Sequence, residues 1–344
     1  MSERLLYLNR ADVDSALVDV DVLAVTAEAH RLHADGRALL PPESYLRWTT
    51  PGGHAARSLA MAGRLETDGN PTGVKVINGS LGNVASGRPR ASGLTLLFDD
   101  ETARVRCVLE AARISCVRTA ATSLLAFARL GRPRRPTLSI VGAGVIGSAH
   151  LELAVYRLPG LREVCVADAE PERAEALVRR WAADLDEAGV SYGTATVRDA
   201  VARGDYVVTA TTATDPYIER AWLRADAVVS NVSLDDLTPE VLYDADVLLV
   251  DDWNLVALDE HRLLGRLHRA GEIGAPGSAR DDARRNVDGE LGQALNGDAG
   301  LRAKLVDAGL VVFNPFGLAI EDVALAAAVE EAAVRRGLGR WLEQ

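Results

Sequence analysis

The sequence predicts an α/β protein in two parts: a doubly wound domain with a parallel sheet, and an α+β domain assembled from the two ends of the chain. From residue 137 onward, the short apolar runs "TLSIVGAG", "EVCVADA", "DYVVTAT", "AVVSNVS" and "DVLLVDD" alternate with helical patterns. Strands buried on both faces by crossover helices have this texture. The run "GRPRRP", Gly131 to Pro136, combines glycine, two prolines and charge, and it separates this half from an N-terminal stretch of different character. The final helix from about Leu318, "LAIEDVALAAAVEEAAVRRG", carries a continuous apolar stripe and is long enough to dock back on the N-terminal region. The expected division is 1–118 with 314–344 against 119–313.

In chain order, "VLAVTAEAHRLHADG" (Val22 to Gly36) has helical spacing and ends on glycine. The stretch "KVINGSLGNVASGRPRAS", Lys75 to Ser92, has three glycines, two asparagines and almost no large apolar side chain. It predicts a strand end, a turn and a strand start. It also carries Lys75, Arg88 and Arg90 with no acid, in a chain of formal net charge −11. "SGLTLLFDDETARVRCVLE" (Ser92 to Glu110) predicts two strands around an acidic turn, and "AARISCVRTAATSLLAFARL" (Ala111 to Leu130) a helix. Downstream, helices are expected through "SAHLELAVYRL", "PERAEALVRRWAADL" and "LDEHRLLGRLHRAGE", with "TATV" as a further short strand. A polar stretch from Ala275 to Gly300 precedes the last strand, "GLVVFNP".

At 344 residues and 48% apolar content the chain can bury a substantial core, and its length fits about two domains. "MSERLLYLNRAD" is no signal peptide, and no segment approaches the roughly 20 apolar residues of a membrane span, so the expected location is the cytoplasm with no membrane partner. Cys107, Cys116 and Cys165 lie in apolar surroundings without metal-ligand spacing, which predicts three reduced, buried thiols and no metal. The acidic balance excludes a general nucleic-acid surface. Small molecules or another subunit remain as partners.

In "TLSIVGAGVIGSAH" an apolar strand meets Gly142, Gly144 and Gly147 in a G-x-G-x-x-G spacing that opens a helix. The first glycine permits a tight turn, the second lets backbone approach a pyrophosphate, and the third lets the helix pack on the strand. The helix N-terminus then offers unpaired N–H groups and a positive dipole end, which makes Val145 and Ile146 cofactor contacts beside the glycines. The second strand ends at Asp168, 21 residues after Gly147, where a carboxylate accepts hydrogen bonds from the adenosine ribose hydroxyls. This Rossmann-type arrangement predicts NAD rather than NADP. The alternative is a plain strand-to-helix turn, with Asp168 capping the helix that starts at Pro171.

The chain resembles the ornithine cyclodeaminase and μ-crystallin family nearly end to end. The resemblance rests on "GVKVINGSLGN" (Gly73 to Asn83), "RTAATS" (Arg118 to Ser123), the glycine fingerprint, and "FNPFGLAIEDVALA" (Phe313 to Ala326). It implies homodimers built from N-terminal sheets and the returning helix, with substrate between the two domains. It also implies that Lys75 and Arg118 hold a substrate α-carboxylate, for which a forked guanidinium and a compact ammonium are suited. A half-exposed strand lysine, and a surface arginine or ion pair with Glu110, are the alternatives.

Two departures matter. Cyclodeaminases have an arginine just after a proline in the segment matching "LLPPESYLRW", where this chain has Glu43, so part of the usual carboxylate clamp is missing and Arg47 and Arg57 are the candidates to substitute. Where cyclodeaminases carry a "GGD" loop, this chain reads "SNVSLDDLTPE", Ser230 to Glu240. With "GRPRAS" and "NPFG", this resembles the branch that oxidises an N-carboxyalkyl amino acid to 2,3-diaminopropionate and 2-oxoglutarate for siderophores and peptide antibiotics. The substrate of that branch carries three carboxylates, and Arg90 is the added guanidinium that suits the added carboxylate. Lys75 and either Asp235 or Asp236 are the catalytic candidates, the acids as general base; the same acids could instead cap or precede a helix near Thr238 and Pro239. Asn314 is expected to line the pocket or organise the turn before the last helix. Thr119 and Ser123 are expected near the cofactor, and Thr211 borders the nicotinamide side, beyond a strand's carboxyl end. The competing readings are an ornithine or lysine cyclodeaminase, a related imine reductase or alanine dehydrogenase, and a non-catalytic dinucleotide binder.

Overall fold

Capping and turn signals shape the first elements of the computed structural model, which describes residues 4–130, 135–278 and 283–343. Strand β1 (Arg4–Leu8) leads to α1 (Arg10–Leu17), opened by a reciprocal cap between the Asn9 and Asp12 side chains and backbone. Then follow α2 (Val22–Ala34), β2 (Ala38–Leu39), β3 (Ser44–Thr49), β4 (Ala55–Leu65) and β5 (Thr72–Ser80). A single turn, α3 (Gly82–Ala85), separates β5 from β6 (Ala91–Phe98), so the link after Lys75 is helical where a plain turn is expected. The Asn83 carbonyl collects the Ser86 and Arg88 N–H groups there, and Gly87 takes a positive φ of 71° to leave the turn. Lys75 itself sits inside β5, not at its end. Strand β7 (Val105–Glu110) runs directly into α4 (Ala111–Leu130), where the Glu110 carboxylate caps the Ala112 and Arg113 N–H groups.

The chain divides into two compact units, Met1–Arg118 with Gly317–Gln344, and Thr119–Phe316. Residues 131–134 of the glycine-proline run, and 279–282 of the polar stretch, lie outside the described residues. The second unit contains β8 (Thr137–Val141), α5 (Val145–Arg157), β9 (Glu163–Ala167), α6 (Pro171–Glu187), β10 (Ser191–Thr194) and α7 (Val197–Arg203). It continues through β11 (Tyr206–Thr209), β12 (Val228–Asn231), α8 (Pro239–Asp244), β13 (Val247–Val250), α9 (Trp253–Leu258) and α10 (Leu263–Arg269). The small pair β14 (Ile273–Gly274) and β15 (Arg285–Asn286) precedes β16 (Gly289–Glu290), α11 (Leu291–Leu295), α12 (Ala299–Val306) and β17 (Val311–Asn314).

The main sheet of this unit has the order β10-β9-β8-β11-β12-β17-β13-β16 and is parallel throughout. Strands β8, β11, β12, β13 and β17 are buried at every position, as strands covered on both faces must be. "TATV" is not the third strand. The strand ends on the first residue of that run, Thr194, because the Thr196 side chain accepts the Asp199 N–H and starts α7 instead.

After β17 the chain returns through α13 (Ala319–Arg336), which ends on Gly337 in the left-handed region, and β18 (Arg340–Glu343). The first unit's sheet has the order β18-β1-β7-β6-β5-β4-β2, with β3 also paired to β4. Only the β1–β7 pairing in it is parallel. Helix α13 lies against β4, β5 and β6. Cys107 and Cys165 are buried, whereas Cys116 is only half-buried, and all three are free thiols. No described helix is long and apolar enough to cross a membrane.

A buried polar chain ties α4, α5 and β12 inside the second unit. The Nδ1 of His150 lies 2.8 Å from the Ile146 carbonyl oxygen, which makes Nδ1 the donor. Its Nε2, 2.8 Å from the Ser123 hydroxyl, then accepts, and Ser123 in turn accepts from Ser230 at 2.8 Å. Burial lowers the His150 pKa to about 4, so the ring is neutral near pH 7. Ser123 is thus occupied internally. Because the unfolded chain protonates this ring from about pH 6.5 downward and the folded one only near pH 4, stability falls as pH drops through that window, by on the order of 3 kcal/mol. Thermal melting between pH 7 and pH 4 should show the decline, and His150→Gln should flatten it.

Candidate active site

The order of the parallel sheet reverses between β8 and β11, and the glycine loop follows β8 at that point. Crevices outside the carboxyl ends of strands at such reversals receive ligands in doubly wound sheets. Gly142 has φ +106°, and a Cβ there would stand 2.4 Å from the Ala210 carbonyl oxygen. A Cβ at Gly147 would stand 2.0 Å from the Gly142 carbonyl oxygen, so only glycine lets α5 close on the turn. Gly144 differs: a Cβ there would meet nothing within 4 Å. It is the N-cap of α5 and no side chain caps it, with Val145 exposed and Ile146 half-buried. The open cradle and uncapped N–H groups fit a dinucleotide pyrophosphate. Asp168 accepts the Ala143 N–H at 2.7 Å and the Glu170 N–H at 3.0 Å. It therefore serves the turn and the next helix, and the half-exposed carboxylate retains lone pairs for ribose hydroxyls.

The two neighbouring acids of "SLDDLTPE" have different partners, and neither caps α8, whose N-cap Thr238 makes no side-chain cap bond. Asp235 pairs with Arg262 at 3.1 Å and Arg266 at 3.6 Å, and it accepts the Leu263 N–H at the start of α10. Asp236 is fully buried and accepts three hydroxyls: Thr211 at 2.6 Å, Tyr217 at 2.9 Å, and Ser233. Burial, then the Asp236 charge and hydrogen bond, push the Tyr217 phenol far up, so it stays a donor. The Ser233 oxygen also lies 3.1 Å from the Thr209 hydroxyl, which donates to Asn231, and Asn231 donates to the Asn314 Oδ1 at 2.7 Å. The buried Asn314 Nδ2 has no protein partner. Thr119 is half-buried on α4.

In the first unit, Lys75 and Arg118 are inside the protein, not on its surface. The Lys75 Nζ lies 2.6 Å from the Asp322 Oδ2 with side chains 2% and 0% exposed. Arg118 donates to Glu321 at 2.9 Å and has its Nε 3.4 Å from Asp322. Glu321 also meets the His30 Nε2 at 2.7 Å and accepts the Leu318 N–H at 3.1 Å. Gly317, at φ +90°, leaves the space in which the guanidinium lies, since a Cβ there would stand 2.3 Å from its Nη1. Burial lowers the Lys75 pKa; Asp322 opposes this, Arg118 adds to it, and Glu43 favours the ammonium. Arg118 thus finds acid partners on α13, while Glu110 caps the start of α4.

Strand register places Arg47 opposite Arg57, and Met61 opposite Lys75, so Arg47 and Arg57 share the sheet face of Lys75. The Arg57 Nη1 donates to the Tyr45 hydroxyl at 3.1 Å, and the Arg47 guanidinium lies 4.4 Å over the Tyr45 ring. Burial raises the Tyr45 phenol but Arg57 and Arg47 outweigh it, so its pKa is lowered overall. Arg88 and Arg90 are exposed. Among the described residues no group of three or more His, Cys, Asp or Glu could hold a metal ion.

Glu321, Asp322 and His30 were not expected from the sequence. Their signal is present: "IED" puts two acids within the apolar run of the last helix, and acids buried there require cationic partners.

The N-((2S)-2-amino-2-carboxyethyl)-L-glutamate dehydrogenase of Staphylococcus aureus (strain NCTC 8325 / PS 47) is 32% identical over 349 residues, 99% of either chain. The crystal structure of CmnK matches with a TM-score of 0.87 and 36% identity over 99% of both chains. An archaeal alanine dehydrogenase dimer with bound NAD matches at 0.82 and 25%, also over 99% of both. With the glycine cradle, these likenesses define the class, an oxidoreductase built on a dinucleotide-binding domain. The chain belongs to the Ornithine cyclodeaminase/mu-crystallin family, whose profile matches residues 4–337.

The glycines make a contrasting pair. Gly144→Ala should fold with an unchanged melting temperature yet lose about tenfold or more in NADH affinity, read by fluorescence titration. Gly147→Ala should lower the melting temperature as well.

Proposed function

We propose that this protein is an NAD-dependent dehydrogenase that oxidatively cleaves N-(2-amino-2-carboxyethyl)-L-glutamate into 2,3-diaminopropionate and 2-oxoglutarate. The observation that carries the reading is the end-to-end likeness to the S. aureus dehydrogenase of that substrate, at 32% identity. The cations of the first unit agree with it. Lys75, Arg118, Arg57 and Arg47 are more than one α-carboxylate needs, and Arg90 adds an exposed guanidinium for a polyanionic amine.

The cofactor is NAD, bound through Gly142, Gly144, Val145, Ile146 and Gly147, with Asp168 at the ribose and Thr119 and Thr211 nearby. When bound it accepts the hydride from the glutamate α-carbon. The secondary amine loses its proton, the resulting C=N bond adds water, and the carbon–nitrogen bond breaks. Amine, NAD and water thus yield diaminopropionate, 2-oxoglutarate, NADH and a proton. Lys75 and Arg118 orient the substrate carboxylates, and Asn314 offers its unpartnered Nδ2 as a donor. Asp236, with three hydroxyl donors, is the better candidate than Asp235 for influencing proton movement, through Thr211 and Tyr217. Asp235 is engaged by two arginines and a helix start.

A homodimer is part of the reading. The sheet face turned away from α13 presents Leu46, Trp48 and Leu94 at 63%, 45% and 43% exposure, on the same face as Ala60 and Val76. Such an apolar sheet face suits a second copy of the chain. Sedimentation should give twice the chain mass, and Trp48→Glu should shift it toward the monomer.

Incubation with NAD and the amine should release NADH and 2-oxoglutarate in equal amounts. Cofactor binding without either product would refute the reading, and ammonia release from ornithine without net NADH would favour cyclodeaminase chemistry. Arg90→Ala should raise KM for the amine about tenfold and leave NAD binding unchanged.

A further inference from the structure

Of the 38 lysine and arginine residues in the chain, two are lysines, Lys75 and Lys304. Lys304 is 53% exposed on α12 and pairs with Asp288 at 2.6 Å. Lys75 is enclosed within the first unit. A lysine at this interior position, in a chain that otherwise relies on arginine, points to a property guanidinium lacks: a compact charge that its surroundings can adjust.

The charged groups facing it come from each packed element. They are Asp322 from α13, Arg118 from α4, and Glu43 from the segment before β3. Glu321 and His30 lie behind, linked through Arg118. Burial and Arg118 both oppose the ammonium, and Asp322 is the larger of the two acids supporting it. Asp322 uses one oxygen for Lys75, and its Oδ1 is buried with no hydrogen-bond partner. The Thr95 hydroxyl, on the strand position opposite Lys75, is equally buried and unpartnered. One of the three ammonium N–H groups goes to Asp322, which leaves two for an incoming carboxylate.

We propose that Asp322 is a positioning residue for substrate recognition: its carboxylate, carried by α13, fixes the Lys75 side chain in place as an ammonium to receive a substrate carboxylate. This rests on the reading of Lys75 as a substrate ligand given above. Glu321 supports Arg118 in the same manner, so one helix turn orients both cations.

The two-lysine composition makes a direct test practicable. Protein labelled with 13C-lysine gives two side-chain signals, and Lys304→Arg assigns them. Asp322→Asn removes the support and leaves burial and Arg118, so Lys75 should titrate at lower pH than in the wild type while Lys304 stays put. KM for the amine should rise roughly ten- to a hundredfold, the range a charge-assisted hydrogen bond carries, with a smaller change in kcat and unchanged NAD affinity. An unmoved Lys75 titration, or a fall in kcat at constant KM, overturns the proposal. Should Asp322→Asn fail to fold, Asp322→Glu decides: a wild-type lysine titration with raised KM supports the proposal, and a wild-type KM overturns it. Wild-type protein that makes no NADH from the amine defeats the substrate reading instead, and the Lys75 titration still judges the pair.

Discussion

Two cations placed in an apolar interior need acids of matching number, and that requirement governs how the first unit is assembled. An unpaired charge in such surroundings is prohibitive, and removing one partner of a buried pair costs about 3–5 kcal/mol. Lys75 on β5 and Arg118 on α4 therefore depend on Glu321 and Asp322, which arrive on the returning helix. The helix must also come close. Gly63 on β4 allows this, since a Cβ there would stand 3.1 Å from the Ile320 backbone nitrogen, next to the acidic pair. Gly317 then clears the space for the guanidinium. Apolar packing brings α13 to the sheet, and charge matching selects its register.

The second unit solves a different problem with neutral groups. At the carboxyl ends of β11, β12 and β17, Thr209, Asn231 and Asn314 are buried and hydrogen-bonded to one another. The charged Asp236 is linked to them through Ser233, and its three hydroxyl donors replace the water it has lost. Hydroxyls and amides at strand ends satisfy their own bonds while remaining able to exchange a partner. That property suits the rim of a ligand crevice better than a rigid ion pair.

The doubly wound sheet was legible because the signals are local: β-rich runs, one glycine turn, and helices between them. The short third strand was displaced to Ser191–Thr194 because a hydroxyl cap at Thr196 outweighed the β preference of "TATV". Around the candidate site, residue types were readable and pairings were not. Lys75 and Arg118 stand out by motif, yet their acids lie 247 and 203 positions away, beyond the reach of any periodicity. The adjacent Asp235 and Asp236 look equivalent in sequence. Their separation into an arginine partner and a hydroxyl partner depends on α10 and on the loop after β11.

The same long separations set an order on biosynthesis. As the chain leaves the ribosome, Lys75 and Arg118 emerge long before Asp322 and Glu321, so the first unit cannot close around them at that stage. The continuous segment Thr119–Phe316 can complete its own sheet in the interval. The N-terminal part must then wait in an open form, its cations still hydrated, until the last helix is delivered. Translation rate through the final segment thereby becomes a determinant of how long an incomplete β-sheet is exposed to aggregation.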